Sequence, residues 1–312
     1  MNAILFPGQG SQIVGMGYEF YNKFEIVKNI FKEADEKLNY KISKIILEGP
    51  ENTLKLTQNA QPAILTVSYA IFSVLKQEYD FNFENTKFFA GHSLGEYSAL
   101  VCSESLKFND ALFLLFERGK SMQEAVPVGK GSMIAVLGAK INEINKLIQD
   151  LKINGVCEIA NDNADGQTII SGDIESMNSL KDILKENKKK FIPLNVSAPF
   201  HCSLMNPAAI KMQDNINSVN FKKPIFDIVS NVTSNPENNP ENIKKLLIKQ
   251  ICSTVRWRES VINMSKEKVS NFIEIGPGKV LSGMVKRTVK NIKCFSINSI
   301  DDMKKTTDEF KK

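Results

Sequence analysis

Six residues, Gly91-His92-Ser93-Leu94-Gly95-Glu96, restrict this chain more than any other stretch. Before them, Phe88-Phe89-Ala90 is an apolar run that predicts the end of a buried strand. After them, Glu96 to Val101 predicts the first turns of a helix. Gly-x-Ser-x-Gly between a strand and a helix is the pattern of a nucleophile elbow, in which the chain turns sharply and lifts a serine hydroxyl above a sheet. The flanking glycines suit a turn where a Cβ would clash, and the helix N-terminus offers N–H groups and positive dipole to developing negative charge. The bland alternative is a small-residue turn that carries no chemistry.

The 312 residues suffice for one large domain or two modest ones, and 42% hydrophobic with 24% charged residues is an ordinary globular balance. Net charge is +5, spread along the chain; it does not argue for nucleic acid but favours encounter with an acidic partner. No run of about 18 apolar residues occurs, so no transmembrane helix is expected. Met1 to Pro7 lacks a basic n-region, which argues against a signal peptide and for a cytoplasmic protein. The five cysteines are scattered without a Cys-x-x-Cys and read as thiols in a reducing compartment. There are two histidines, His92 and His201, so a histidine-based metal site is not expected.

Along the chain, Ala3 to Phe6 predicts a strand and Pro7-Gly8-Gln9-Gly10-Ser11-Gln12 a glycine-rich loop after it. A dinucleotide fingerprint would need a third glycine where Ile13 stands. Helices are predicted over Tyr21 to Leu38, over the broadly apolar Gln58 to Gln77, and over Ala111 to Ala125, which carries Arg118. Gly119-Lys120-Ser121 imitates the end of a phosphate-binding loop, but Leu114 occupies the position of its first glycine. Pro127 to Gly131 marks a boundary. Beyond it, strands at 132–137, 157–160, 168–171 and 191–196 alternate with helices at 141–151 and 174–186, with Asn161 to Gly166 as a loop between the middle strands. This β-α-β-β-α-β order is the ferredoxin-like pattern.

After Ser197 the pattern of longer helices and short strands returns. Asn231 to Asn242 reads as a surface loop, Asn271 to Ile275 as a strand stopped by Gly276-Pro277-Gly278, and Cys294 to Ile297 as a last strand. The expected fold class is α/β. An α/β-hydrolase-like catalytic domain with a parallel sheet comprises residues 1–127 and 198–312, and a small ferredoxin-like α+β domain is inserted at 128–197.

A serine hydroxyl is a weak nucleophile at neutral pH and needs a base within hydrogen-bond reach, most often histidine. His92 adjoins Ser93 in an extended-to-turn segment, so its side chain should point away. His201 remains as the candidate base. Elbow hydrolases carry an acid between serine and histidine along the chain. Here the acids between 93 and 201 fall in the inserted domain or on helix faces, and none stands out. Arg118 sits mid-helix in Phe113-Leu114-Leu115-Phe116-Glu117-Arg118. Two readings stay open for it: a guanidinium that pairs with a carboxylate on the acyl group, or an exposed salt bridge with Glu117 or Glu124. At this level an esterase or thioesterase, and a scaffold without activity, also stay open.

The ordered motifs resemble the malonyl-CoA:acyl-carrier-protein transacylase family over nearly the whole chain. They are Phe6 to Gln12, Gln61-Pro62-Ala63, Gly91 to Tyr97, Arg118-Gly119, Asn161 to Gly172, Val196-Ser197, His201, Gln250, Val255-Arg256-Trp257 and Glu274 to Gly278. The resemblance implies ping-pong malonyl transfer from CoA to the phosphopantetheine thiol of an acidic acyl carrier protein, in fatty acid biosynthesis. Ser93 would be the nucleophile and His201 the base, with the backbone N–H groups of Gln9 and Leu94 as oxyanion hole and Arg118 on the malonyl carboxylate. A backbone carbonyl near Gln250 would orient His201. The resemblance implies no cofactor, no metal, no nucleic acid or membrane partner, and a monomer. Leu94 and Phe200 match malonyl-type pockets of related polyketide acyltransferases, although the simpler transacylases often carry a small polar residue at the position of Phe200.

Overall fold

Short apolar segments separated by helices build two sheets in the computed structural model, which describes residues 1–151, 153–196 and 198–311. Ser197, one of the family marks, lies outside the described residues. In chain order the strands are β1 (Asn2–Phe6), β2 (Thr86–Gly91), β3 (Gly131–Leu137), β4 (Cys157–Ala164), β5 (Gln167–Asp173), β6 (Lys190–Pro193), β7 (Asp227–Val229), β8 (Pro236–Glu237), β9 (Asn271–Ile275) and β10 (Lys293–Ile297).

The larger sheet runs β10-β9-β1-β2-β7-β8, parallel throughout except for β8 at its edge. Its strands are apolar on both faces, as a parallel sheet covered by helices requires. Alternate residues enter different cores. Ile4, Phe6, Phe89 and Ile273 pack with the helices Thr57–Gln77, Gly95–Cys102 and Phe108–Glu124. Ala3, Leu5, Phe88 and Phe272 pack with Trp257–Lys266 and Val280–Thr288 on the opposite face. The register pairs Phe6 with Gly91 and Ala90 with Val229. The segments that follow β1, β2 and β7 therefore emerge side by side at the carboxyl edge, where open α/β sheets bind ligands.

The second sheet is antiparallel, in the order β4-β5-β3-β6. Ile134, Val136 and Ile170 on one face meet Ile144, Met177, Leu180 and Leu184 from the helices Ile141–Asp150 and Ile174–Glu186. Met133, Ala135 and Ile169 on the other face join the large core. The fold is thus α/β, with a mainly parallel sheet and a second, antiparallel one.

Three local expectations are corrected. The residues expected to form a loop after Ala160 continue β4 as far as Ala164, leaving the turn to Asp165-Gly166. Polar residues persist in this strand because each has a tertiary partner: Asp162 accepts from Arg258 Nε at 2.9 and 3.0 Å, and Val255 bridges Asn161. The helix expected over Tyr21 to Leu38 is split into Tyr18–Lys23 and Glu25–Leu38, because buried Phe24 adopts an extended backbone. Asn231, expected in a surface loop, is fully buried, and that expected loop ends early, because a helix starts at Pro240 under an Asn239 cap.

Candidate active site

Close backbone contacts shape the elbow. A Cβ on Gly91 would lie 1.9 Å from the carbonyl carbon and oxygen of Gly95, and one on Gly95 would lie 2.3 Å from the carbonyl oxygen of Phe6. Between them Ser93 takes a left-handed backbone, φ 54°, which L-residues rarely hold without support from their surroundings. The helix Gly95–Cys102 starts directly afterwards. The loop after β1 lies against this turn: His92 N–H donates to the Phe6 carbonyl (3.1 Å), and a Cβ on Gly8 would stand 2.5 Å from the His92 carbonyl oxygen. The backbone N–H groups of Gln9 and Leu94 have no acceptor among the described residues.

His201 Nε2 stands 2.8 Å from Ser93 Oγ, and its Nδ1 lies 2.9 Å from the Gln250 carbonyl oxygen. A carbonyl only accepts, so the proton belongs on Nδ1, and Nε2 is left bare to accept from the serine hydroxyl. Gln250 is the last residue of the helix Pro240–Gln250, where carbonyls lack intrahelical donors and the dipole is negative. Burial pulls the His201 pKa down to about 3, with the nearby positive charge of Arg118 acting in the same direction. The imidazole is therefore neutral at ordinary pH.

Arg118 is 1% exposed. Its Nη1 donates to Gln61 Oε1 (2.8 Å), and its Nη2 to Gln250 Oε1 (2.8 Å) and Ser93 Oγ (3.1 Å). It reaches Gln61 because its helix crosses Thr57–Gln77 tightly at Gly119, where a Cβ would meet Gln58 Cα at 2.6 Å. The exposed salt-bridge reading is overturned, since Glu124 pairs with Lys211 instead (3.0 Å). Among the described residues Arg118 has no salt bridge, and its Nε has no partner. Burial pushes its pKa below the usual arginine value. A desolvated guanidinium held by neutral oxygens beside a serine hydroxyl is chemically a receptor for an anion.

His92 points away from Ser93. Its Nε2 stands 2.8 Å from Asn163 Oδ1, and its ring meets Trp257 edge-on at 5.7 Å. Leu94 and Phe200 are buried. Among the described residues no three His, Cys, Asp or Glu side chains gather as a metal site requires.

Three residues with contacts in this site had no role assigned from sequence. Gln61 was visible as an amide in an otherwise apolar helix face. Glu96, placed from sequence only at the start of a helix, is buried and accepts from Gln250 Nε2 (2.9 Å) and Asn231 N (3.0 Å). Nothing in the sequence singled out Asn231.

Comparison with known proteins gives consistent results. The family model described as acyl transferase domain matches residues 4–312. The malonyl CoA-acyl carrier protein transacylase of Bacillus subtilis is 43% identical over 298 residues, 95% of this chain and 93% of that protein. The crystal structure of an acyl-carrier-protein-S-malonyltransferase from Bartonella henselae has a TM-score of 0.96 at 40% identity, covering 100% of this chain and 99% of that one. A malonyl-transacylase solved in complex with its type II PKS acyl-carrier protein has a TM-score of 0.95 at 37% identity, covering 99% of each chain.

Proposed function

This chain belongs to the malonyl CoA-acyl carrier protein transacylase family of acyl transferases, and from that membership we propose a malonyl transfer through Ser93. The acyl group moves from malonyl-CoA to the phosphopantetheine thiol of acyl carrier protein, in fatty acid biosynthesis. In the first half-reaction Ser93 Oγ attacks the thioester carbonyl while His201 Nε2 takes its proton. The oxyanion forms against the N–H groups of Gln9 and Leu94, a role supported by their lack of other acceptors and by the packing of the Gly8 loop on the elbow. His201 returns the proton to the departing CoA sulfur, leaving a malonyl-serine ester. In the second half-reaction the carrier thiol loses its proton to His201 and attacks that ester. The bond from the acyl carbon to Ser93 Oγ breaks, and His201 returns the proton to the serine oxygen, giving the malonyl thioester of the carrier and free Ser93.

The imidazolium formed in each half-reaction faces the Gln250 carbonyl at a helix C-terminus rather than a carboxylate, so the helix dipole supplies part of the stabilisation an acid gives elsewhere. Arg118 binds the malonyl carboxylate. The same charge disfavours imidazolium while it is unneutralised. A bound carboxylate offsets it and strengthens His201 as a base, so a carboxylated acyl group helps to activate its own transfer.

Serine, histidine and arginine supply this chemistry, and the reaction uses no cofactor. We read residues 1–127 and 198–312 as an α/β-hydrolase-like catalytic domain and 128–197 as a ferredoxin-like insert, a reading supported by the strand order β4-β5-β3-β6. The same reading takes the protein as a cytoplasmic monomer. Its net charge of +5 favours encounter with an acidic carrier.

The observation that carries the proposal is the buried guanidinium 3.1 Å from a serine hydroxyl that is itself 2.8 Å from a neutral histidine. Intact-mass analysis after incubation with malonyl-CoA or acetyl-CoA tests it. A malonyl adduct that exceeds the acetyl adduct, is absent in Ser93→Ala and is discharged by holo acyl carrier protein is expected. Steady CoA release by hydrolysis, with no adduct and no requirement for a carrier thiol, would overturn it.

A further inference from the structure

Ser93 holds its left-handed backbone through side chains that come from two distant segments. Its N–H donates to Asn231 Oδ1 at 2.7 Å, and its carbonyl accepts from Gln250 Nε2 at 3.1 Å. Both partners converge on a single atom, Glu96 Oε2, which accepts from Asn231 N at 3.0 Å and from Gln250 Nε2 at 2.9 Å. Asn231 also donates through Nδ2 to the Gly91 carbonyl at 2.7 Å, and its own carbonyl accepts from Arg256 N at 2.9 Å. Every polar group of Asn231 is thus engaged, and Glu96, Asn231 and Gln250 are all buried.

We propose that Asn231 and Glu96 are positioning residues that clamp the elbow: Asn231 fixes the backbone of the nucleophile, and Glu96 ties that clamp to the helix end that orients His201. The topology makes the clamp possible. β7 lies beside β2 with Val229 opposite Ala90, so the chain leaving β7 reaches Asn231 just as the chain leaving β2 reaches the turn. Asn231 bonds the N–H of Ser93 and the carbonyl of Gly91, so one planar amide spans the first half of the turn. Gln250 fastens the other side of Ser93, while its main-chain carbonyl holds Nδ1 of His201. Gln250 therefore touches both the serine and its base, Asn231 holds the serine's turn, and Glu96 is the common anchor of the two. A shift of about 1 Å between nucleophile and base is enough to cost two orders of magnitude in rate.

The proposal deepens the reading of Ser93 and His201 as a catalytic pair but does not depend on the malonyl donor, and its test separates the two. Purified Asn231→Ala, Glu96→Ala and Glu96→Gln are compared with wild type by circular dichroism and thermal unfolding. Only the fraction that unfolds cooperatively is scored. Labelling of Ser93 by a fluorophosphonate reads the nucleophile without any acyl-CoA. Steady-state transfer from malonyl-CoA then separates kcat from KM.

Asn231→Ala and Glu96→Ala are expected to lower both the labelling rate and kcat by about 100-fold, with KM for malonyl-CoA changed less than about threefold. Glu96→Gln still presents one oxygen to both N–H groups and is expected to recover at least about tenfold over Glu96→Ala. Folded Asn231→Ala and Glu96→Ala enzymes that label at the wild-type rate would overturn the clamp, as would losses confined to KM. Slow labelling in these variants, together with a wild-type enzyme that fails to use malonyl-CoA, would keep the clamp and reject the substrate reading.

Discussion

Replacing Arg118 with alanine should change which acyl group the enzyme prefers more than it changes activity in general. The side chain is fully desolvated and donates three hydrogen bonds to neutral oxygens, on Gln61, Gln250 and Ser93. Its removal leaves the Gln61 and Gln250 oxygens short of a donor, and that penalty falls equally on malonyl and acetyl transfer. The carboxylate contact belongs to malonyl alone. Truncating one partner of a buried, hydrogen-bonded charge pair costs about 2–5 kcal/mol, which at about 1.4 kcal/mol per decade is roughly 30- to 4000-fold. The ratio of kcat/KM for malonyl-CoA to that for acetyl-CoA should fall by a factor in this range in Arg118→Ala. Acetyl transfer should suffer less, since loss of the guanidinium also lifts one restraint on protonating His201. The assay is transfer to holo acyl carrier protein from each donor, with circular dichroism to confirm folding. An unchanged ratio, with both activities lowered alike, would refute the carboxylate contact and leave Arg118 as a structural residue.

Glycine tolerates φ 54° and alanine does not, so Ser93→Gly should be more stable than Ser93→Ala by roughly 1 kcal/mol in denaturant unfolding, with both variants inactive; an equal or lower midpoint for the glycine variant would contradict strain at the nucleophile. The folded-state pKa of His201 is depressed from 6.5 to about 3 and that of His92 is lowered too, so the unfolded chain binds protons that the folded one refuses, and this part of stability is lost as pH falls from 6.5 toward 3. Glu96, raised from 4.5 to about 7, acts oppositely, and its contribution is lost as pH rises from 4.5 to 7. Urea midpoints should therefore fall less steeply between pH 4.5 and 3 in His201→Gln than in wild type, and parallel slopes would count against the buried neutral imidazole. Transfer to an acidic carrier should weaken as salt rises from low to moderate ionic strength, whereas a salt-independent carrier half-reaction would remove electrostatics from the encounter.

Much of the site was legible because its determinants are local or scarce. Gly91 follows from sterics within the turn, where its Cβ would strike Gly95, whereas Gly95 is also required by the close approach of the Phe6 carbonyl from the end of β1. With only two histidines in the chain, and one adjoining Ser93, His201 was reached by counting. Resemblance supplied Gln9, Leu94, Arg118 and Gln250, and the structure brings Arg118, Gln250 and His201 to Ser93 while laying the Gly8 loop on the elbow. Local patterning failed where a polar residue found a distant partner. Asn161 to Asn163 looked like a turn and instead form a strand, because Val255, Arg258 and His92 engage them across the sheet boundary.

What the amino-acid order determined by itself is the elbow, the alternation of strand and helix, and the choice of Ser93 and His201 as the residues proposed for nucleophile and base, all consequences of chirality, periodicity and residue count. Only the tertiary structure decided that Arg118 faces inward to Gln61 rather than outward to a carboxylate, since that depends on how closely two helices cross at Gly119. It also decided the clamp. Asn231 is 138 residues from Ser93 and Gln250 is 157, and no periodicity relates residues so far apart. Their meeting is set by the parallel register of β2 and β7 and by where the helix Pro240–Gln250 ends. The buried carboxylate of Glu96, with its pKa near 7, draws those two partners together around the elbow.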